Sequence, residues 1–195
     1  MDKLELRARF CTTRECLDPP HMADASAAIC RRLARMTVVR QAGRILTYLA
    51  FRNEPDLGAL VDALPGIAWI VPRIDREGLV LHRYDPDNLL RHAYGMLEPL
   101  PSAPVVEPAD LDVVLVPGVS FDRQGGRLGF GGGFYDRLLI RTSAVRIGIT
   151  YDACLTDALP CDAHDQRMDW VVTPSQAIRC GPLWRNERAL LQARP

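Results

Sequence analysis

Four glycines stand within five positions of the segment "RLGFGGGFYDRLL", which covers residues 127–139. Without a Cβ, consecutive glycines let backbone N–H groups approach an anion closely, and a helix that starts at Phe134 would add the positive end of its dipole. Arg127 and Arg137 flank the glycines with guanidinium groups suited to phosphate or carboxylate oxygens. The segment is therefore a candidate phosphate site, and a tight loop that only packs against its neighbours is the alternative.

Asp136 would repel a bare phosphate in this loop. A magnesium ion would remove the conflict, because it is commonly held by one or two carboxylates together with substrate phosphates. An acidic residue is also favoured in the first turn of a helix for electrostatic reasons alone, which is the simpler explanation. The loop lacks the Lys-Ser/Thr of a Walker A motif, and it fails the G-x-G-x-x-G pattern because Phe134 occupies the last position.

Apolar runs supply the strands that must position this loop. The near-continuous runs, typical of parallel strands covered on both faces, are "LDVVLVPG" (111–118), "VRIGIT" (145–150) and "DWVVTP" (169–174). Further strands are predicted at "RILTYLAF" (44–51), "AWIVP" (68–72) and "GLVLHRY" (78–84). The glycines lie downstream of the strand end at Pro117 and Gly118, and the carboxyl ends of parallel strands form the ligand crevice of an open α/β sheet.

Helical segments alternate with these strands. Their positions are predicted at 3–17, 21–36, 57–64 and 134–141, and the Pro-rich segment 98–108 is predicted to be a loop. This alternation indicates an α/β protein with a mostly parallel central sheet and helices on both faces, a Rossmann-like three-layer arrangement. We expect one domain over residues 1–195.

Composition and charge limit the function further. The chain is 48% hydrophobic and 25% charged, which is typical of a globular protein with a sizeable core. Its 24 basic and 24 acidic residues balance without a run of like charge, so we expect small-molecule partners, no nucleic acid or membrane, and no obligate protein partner. "MDKLELRARF" lacks a signal-peptide core, which predicts a cytoplasmic protein, and the six cysteines have neither C-x-x-C nor zinc-finger spacing, which predicts free thiols.

The stretch "LDVVLVPGVSFDRQGGRLGFGGGFYDRLL" resembles the signature of the 5-formyltetrahydrofolate cyclo-ligase family. In that signature a D-x-x-x-x-P-G strand end leads to F-D-x-x-G-x-R-L-G-x-G-x-G-x-Y-D. Further segments follow the order of the family: "KLELR", "YLAFRNEPD", "YGMLEP", "LPCDAHDQRMD" and "WVVTPS". The resemblance thus covers most of the chain. It implies an enzyme that uses ATP and Mg²⁺ to close the N5-formyl group of 5-formyltetrahydrofolate onto N10, through a phosphorylated formyl (imidate) intermediate, giving 5,10-methenyltetrahydrofolate, ADP and phosphate.

The same resemblance implies the nucleotide and metal sites. Lys3 and Arg7 match an N-terminal K-x-x-x-R that contacts ATP, and Lys3 and Arg127 are the cations expected to act in catalysis. The implied ATP-binding positions are Lys3, Arg7, Arg127, Leu128, Gly129, Phe130, Gly131, Gly132, Gly133, Phe134 and Tyr135. Asp136 and Asp165 match the two magnesium carboxylates, and His164 is expected to be a surface side chain beside an acid.

The folate site is implied in the same way. Its positions are Leu49, Glu54, Tyr94, Phe130, Gly131, Gly132, Gly133 and Phe134, and Tyr135 is a weaker candidate. Glu54 is expected to accept hydrogen bonds from N–H groups of the pterin ring, and Tyr94 to stack on the folate or to pack in a loop.

Two other functions would explain parts of the pattern. A folate- or nucleotide-binding module without turnover would need the same binding residues, whereas a sugar-phosphate isomerase on a similar sheet would need only the anion loop. The presence of Asp136, Asp165, Arg127 and Glu54 favours the enzyme over the binding module.

Overall fold

Parallel strands form the centre of the structure, a computed structural model that describes residues 2–76 and 78–181. The strands are β1 (Arg44–Leu46), β2 (Ala68–Asp75), β3 (Gly78–Arg83), β4 (Leu89–Arg91), β5 (Leu97–Pro99), β6 (Val105–Val106), β7 (Val113–Pro117), β8 (Ser120–Asp122), β9 (Arg127–Leu128), β10 (Val145–Ile149), β11 (Leu155–Thr156), β12 (Trp170–Val172) and β13 (Ala177–Arg179). The helices are α1 (Lys3–Glu15), α2 (Pro19–Leu33), α3 (Thr37–Arg40), α4 (Gly58–Ala63) and α5 (Phe134–Leu139).

The main sheet has eight strands in the order β13-β12-β10-β7-β1-β2-β3-β6. The five strands from β12 to β2 are parallel, whereas β13, β3 and β6 pair in the antiparallel sense at the edges. β8 lies between β11 and β9 in a second, three-stranded sheet, and β4 and β5 form a hairpin. The glycines follow β9 and therefore lie beyond this small sheet.

Side chains of the parallel strands alternate between two apolar layers, as the period of two requires. Ile45, Val113 and Ile147 face a cluster that includes residues of α2, α3 and α4. Leu46 and Val114 face the opposite cluster, to which α5 contributes. The predicted three-layer α/β fold with helices on both faces is confirmed.

The predicted bounds of β1 and of the 98–108 loop are wrong for identifiable reasons. β1 ends at Leu46, not at residue 51, because the chain leaves the ladder and turns through left-handed φ angles of 49° at Arg52 and 57° at Asn53. Of the apolar residues that follow Leu46 in this run, Leu49 and Phe51 line a cavity. The 98–108 segment also contains the pairing residues of β5 and β6 and is not wholly irregular.

Helix α1 is fixed at both its start and its inner face. Asp2 and Glu5 form a capping box, in which the Asp2 side chain accepts from Glu5 N at 2.8 Å and the Glu5 side chain accepts from Asp2 N at 2.9 Å. Leu6 and Phe10 pack in a third cluster with Leu128 of β9. The helix therefore lies against the small sheet that leads into the glycines.

Helix α2 begins earlier than predicted. It starts at Pro19, after the N-cap Asp18, because proline is compatible with the first helical turn. Among the described residues, no helix is both long and apolar enough to cross a bilayer. The prediction of one domain over 1–195 extends to residues 1, 77 and 182–195, which lie outside the described residues.

Candidate active site

A cavity of about 510 Å³ opens where β1 and β7 end. All of the site residues predicted from the sequence line it: Lys3, Arg7, Leu49, Glu54, Tyr94, Arg127, Leu128, Gly129, Phe130, Gly131, Gly132, Gly133, Phe134, Tyr135, Asp136 and Asp165. They come from α1, the turn after β1, the β4–β5 hairpin, the glycine loop (residues 129–133), α5 and the segment before β12. The fold thus brings together residues that are more than 160 positions apart in the chain.

At two positions the glycine loop has a backbone conformation that residues other than glycine rarely adopt. Gly131 has a φ of 101° and Gly133 a φ of 64°, both in the left-handed region that glycine adopts readily. Arg7 Nε donates to Gly129 O at 2.8 Å, which ties α1 to the loop. Helix α5 has only six residues and ends two residues before the predicted boundary.

The two arginines that flank the loop have different surroundings. Arg127 Nη2 donates to Asp136 Oδ2 at 2.7 Å, and its side chain is only 8% exposed. Arg137 Nη1 instead donates to Gly132 O at 3.1 Å, and its guanidinium lies over the Phe134 ring. Of these two arginines, Arg127 lines the cavity and Arg137 does not, so the expectation that Arg137 meets the phosphate is not supported by its position.

In another part of the cavity wall, a lysine lies between two acidic residues. Lys3 Nζ, at the first residue of α1, donates to Asp165 Oδ2 and, at 2.8 Å, to Asp162 Oδ2. Burial opposes the charge on each partner, but these hydrogen bonds outweigh it, so the pKa of Lys3 is raised and the pKa of Asp165 is lowered. Both groups are therefore charged at neutral pH.

The carboxylates predicted for magnesium are neighbours in space. Gln166 N, next to Asp165 in the chain, donates to Asp136 Oδ1 at 3.3 Å. Asp162, His164 and Asp165 also offer ligand atoms within 4.8 Å of one another, and His164 is exposed as expected. Carboxylate oxygens are the ligands that Mg²⁺ prefers, so Asp136 and Asp165 fit the ion chemically.

Glu54 and Tyr135 present polar groups in an otherwise apolar part of the cavity. Glu54 Oε2 accepts from Phe51 N at 3.1 Å. Burial raises the pKa of Glu54 to about 7, although the Arg14 guanidinium, the Phe51 N–H group and the Arg52 guanidinium oppose the shift. The Tyr135 hydroxyl is buried and has no hydrogen-bond partner among the described residues, which is unusual for a buried polar atom. Both groups can pair with a polar ligand.

Exposed aromatic side chains surround the mouth of the cavity. Tyr94 is 70% exposed at the tip of the β4–β5 hairpin, and Phe130 of the glycine loop is 46% exposed. The hairpin is fastened to β2, since buried Glu98 accepts from Ile74 N at 2.8 Å and pairs with Arg73 at 3.1 Å. Such surfaces suit a flat aromatic ligand.

Sequence reasoning missed several residues at this site. Arg14 is buried, donates to Gly118 O at 3.3 Å and lies 5.4 Å from the centre of the Phe130 ring, and Arg52 approaches the same ring at 5.9 Å. A signal for Arg14 exists, because Lys3, Arg7 and Arg14 recur at helical spacing on one face of α1. Asp162 lies in the quoted "LPCDAHDQRMD", but nothing in its spacing marks it as the partner of Lys3.

Known proteins resemble this chain in sequence and in fold. A sequence model of the 5-formyltetrahydrofolate cyclo-ligase family matches residues 1–174. The 5-formyltetrahydrofolate cyclo-ligase of Mycolicibacterium smegmatis is 36% identical over 145 residues, which cover 69% of this chain and 75% of the relative. The cyclo-ligase of Escherichia coli strain K12 is 30% identical over 173 residues, which cover 84% of this chain and 95% of the relative.

Two solved structures resemble the fold. The 5,10-methenyltetrahydrofolate synthetase of Aquifex aeolicus superposes with a TM-score of 0.85 and 32% identity, covering 93% of this chain and 94% of that one. The synthetase of Mycoplasma pneumoniae superposes with a TM-score of 0.74 and 24% identity, covering 89% of this chain and 99% of that one, and its likeness supports the fold alone.

Proposed function

The chain belongs to the 5-formyltetrahydrofolate cyclo-ligase family and is an enzyme of that family, and from this premise we propose that it uses ATP and Mg²⁺ to convert 5-formyltetrahydrofolate into 5,10-methenyltetrahydrofolate. The observation that carries the proposal is the convergence of the expected nucleotide, metal and folate residues on one cavity. A protein that bound only one of these ligands would not need all three sets together.

The proposed reaction overcomes a poor leaving group. The formyl oxygen attacks the γ-phosphorus of ATP, the bond from that phosphorus to the ADP oxygen breaks, and an imidate phosphate forms. The N10 lone pair then attacks the activated carbon, the bond from that carbon to the phosphate oxygen breaks, and N10 loses its proton. The enzyme contributes mainly position and charge stabilisation to these steps.

The residues of the glycine loop wall hold the nucleotide in this proposal. Backbone N–H groups of the loop and the guanidinium of Arg127 bind phosphate oxygens, and Lys3 and Arg7 approach from α1. Asp136 and Asp165 would hold Mg²⁺, which when bound neutralises phosphate charge and orients the transferred group. Arg7 also donates to Gly129 O, so α1 and the loop are held together beside the proposed nucleotide site.

The opposite wall holds the folate. The Glu54 carboxylate accepts hydrogen bonds from pterin N–H groups, and Leu49, Tyr94 and Phe130 offer apolar surface to the rings. In this proposal the glycine loop contacts both ligands, so the formyl oxygen and the γ-phosphate meet beside it.

An absorbance assay for 5,10-methenyltetrahydrofolate tests the proposal. We expect product only when ATP and Mg²⁺ are both present. Product formed at the same rate without ATP would contradict the mechanism. Calorimetric titration with ATP, 5-formyltetrahydrofolate and a sugar phosphate distinguishes the other possibilities: binding of the first two without product indicates a binding module, and binding of the sugar phosphate alone indicates an isomerase-like enzyme.

A further inference from the structure

Both carboxylates proposed for magnesium are already paired with cations of this chain. Asp136 Oδ2 accepts from Arg127 at 2.7 Å, and Asp165 Oδ2 accepts from Lys3. The cations in these two pairs are the same residues proposed to contact the phosphates of ATP. Each of these four charged groups is therefore paired with another of the four.

Hydrogen bonds from described residues engage three of the four oxygens of these two carboxylates. The second oxygen of Asp136 accepts from Gln166 N at 3.3 Å, and Asp165 Oδ2 also accepts from Asp162 N at 2.7 Å. The side chains are largely shielded from solvent, with exposures of 8% for Arg127, 19% for Asp136, 20% for Lys3 and 16% for Asp165. Charges in such surroundings interact more strongly than they do in water.

The charge balance makes each ligand unfavourable without the other. Mg²⁺ alone would have to enter beside two cations, and ATP alone would have to enter beside two carboxylates. When both arrive, the ion takes the carboxylates and the two released cations face the phosphates, so every charge keeps an opposite partner. The Asp162 side chain, which is 58% exposed, also accepts from Lys3 and would stay its partner during such an exchange.

We propose that Lys3 and Arg127 are surrogate cations for the metal, so that Mg²⁺ and ATP bind cooperatively through an exchange of ion-pair partners. This inference rests on the proposed function for the identity of the two ligands. It adds that these two cations determine how strongly the binding of each ligand depends on the presence of the other.

Lys3→Met tests the exchange because it removes the charge and keeps an unbranched side chain. A lysine that only contacts ATP has no effect on the affinity for Mg²⁺ in the absence of nucleotide. A surrogate cation lowers that affinity, so we expect Lys3→Met to bind Mg²⁺ alone about fivefold more tightly, the size expected for loss of one partly exposed ion pair. The variant should bind ATP without Mg²⁺ more weakly than the parent.

Arg9→Met is the matched control. It removes one positive charge from the same helix, and Arg9 contacts the Phe10 ring and does not line the cavity. Isothermal titration of the full chain with magnesium chloride alone, with ATP plus a chelator, and with ATP in saturating Mg²⁺ gives all the affinities needed. We expect Arg9→Met to match the parent in all three titrations.

Two results separate this inference from the proposed function. If the parent forms product with MgATP but Lys3→Met leaves the affinity for Mg²⁺ alone unchanged or weaker, the exchange is wrong and the function stands. If Lys3→Met tightens Mg²⁺ alone while the parent forms no product, the exchange stands and the function is wrong. An equal tightening in Arg9→Met would also overturn the exchange, because the effect would then come from general charge.

Discussion

Glu54 lies where burial works against its charge. Its pKa is raised to about 7 by burial, against an ordinary value of 4.5. Near neutral pH it therefore carries a proton in a substantial fraction of molecules. Because the ionised carboxylate is a stronger acceptor than the protonated acid and has no proton to donate, a pterin ring that donates to Glu54 favours the ionised form.

Glu54→Gln should weaken folate binding while leaving MgATP binding nearly intact. A charge-assisted hydrogen bond contributes about 1.5–3 kcal/mol, so we expect a loss of about tenfold to a hundredfold in folate affinity. The parent should bind the folate more tightly as pH rises from about 6 to about 8, and the variant should lack this dependence. Calorimetric titration with each ligand checks both points. Equal loss of both ligands would place Glu54 elsewhere or indicate misfolding.

The same substitution should change the pH dependence of unfolding. The folded-state pKa lies above the unfolded value, so the folded protein binds the proton more tightly between pH 4.5 and about 7. Stability from this group is fully present below pH 4.5 and is lost as pH rises through about 7. Urea denaturation should therefore show that Glu54→Gln gains stability relative to the parent, by about 2.5 kcal/mol, between about pH 5 and about pH 8. A constant difference across this range would contradict the raised pKa.

Helix α1 carries the cations, and its packing fixes where they stand. Phe10 is buried with Leu6 against Leu128, and Arg14 donates to Gly118 O beyond the end of β7. Arg7 extends the same contact to Gly129 of the glycine loop. The position of the N-terminal lysine therefore depends on apolar contacts two turns away.

Phe10→Ala should lower both stability and nucleotide affinity. Truncating a buried phenylalanine costs about 3–5 kcal/mol, and a loosened α1 no longer holds Lys3 and Arg7 at the cavity. Leu4→Ala is the control on the same helix, since Leu4 is 71% exposed, and it should leave both quantities unchanged. Thermal unfolding with and without MgATP measures the effect. A Phe10→Ala protein that lost stability but kept full MgATP affinity would show that α1 does not position the phosphate cations.

Elements of this protein differ in how far the sequence determines them. The buried parallel strands were predictable because their apolar runs are nearly continuous, and the family resemblance and three-layer fold are confirmed. The predicted β1 is too long because Leu49 and Phe51 are apolar residues that line the cavity. A pattern in a single sequence does not distinguish such residues from the buried residues of a strand. The Lys3–Asp162 contact joins residues that are 159 positions apart, and no local pattern can reveal such a pair.

Acidic residues with a structural role and acidic residues that line the cavity lie at opposite ends of the main sheet. At the start of β7, Asp112 accepts from Gly43 N and Arg44 N at 2.8 Å each. At the other end of that strand, Pro117 lines the cavity that also contains Asp136. The first acid joins two strands, whereas the second is proposed to bind a metal.

Asp136→Asn and Asp112→Asn form a matched pair of carboxylate substitutions. Both should lower the stability of the ligand-free protein by about 1–3 kcal/mol, because each replaces the charged acceptor of existing hydrogen bonds with a neutral one. Only Asp136→Asn should also lose most of the stabilisation that MgATP gives through linkage, which is about 3 kcal/mol at a ligand concentration of about 100 times Kd. Melting temperatures with and without MgATP decide the matter. Full MgATP stabilisation and full turnover in Asp136→Asn would make Asp136 only an acid of the first helical turn.

The transfer of the formyl oxygen to phosphate is the central chemical claim. The parent enzyme is given 5-formyltetrahydrofolate whose formyl oxygen carries a heavy isotope, together with unlabelled MgATP, and the released phosphate is analysed by mass spectrometry. We expect one labelled oxygen in each phosphate and one phosphate for each methenyl product, because the carbon–oxygen bond breaks only after phosphorylation. Product formed with unlabelled phosphate, the label having passed to water, would contradict the account.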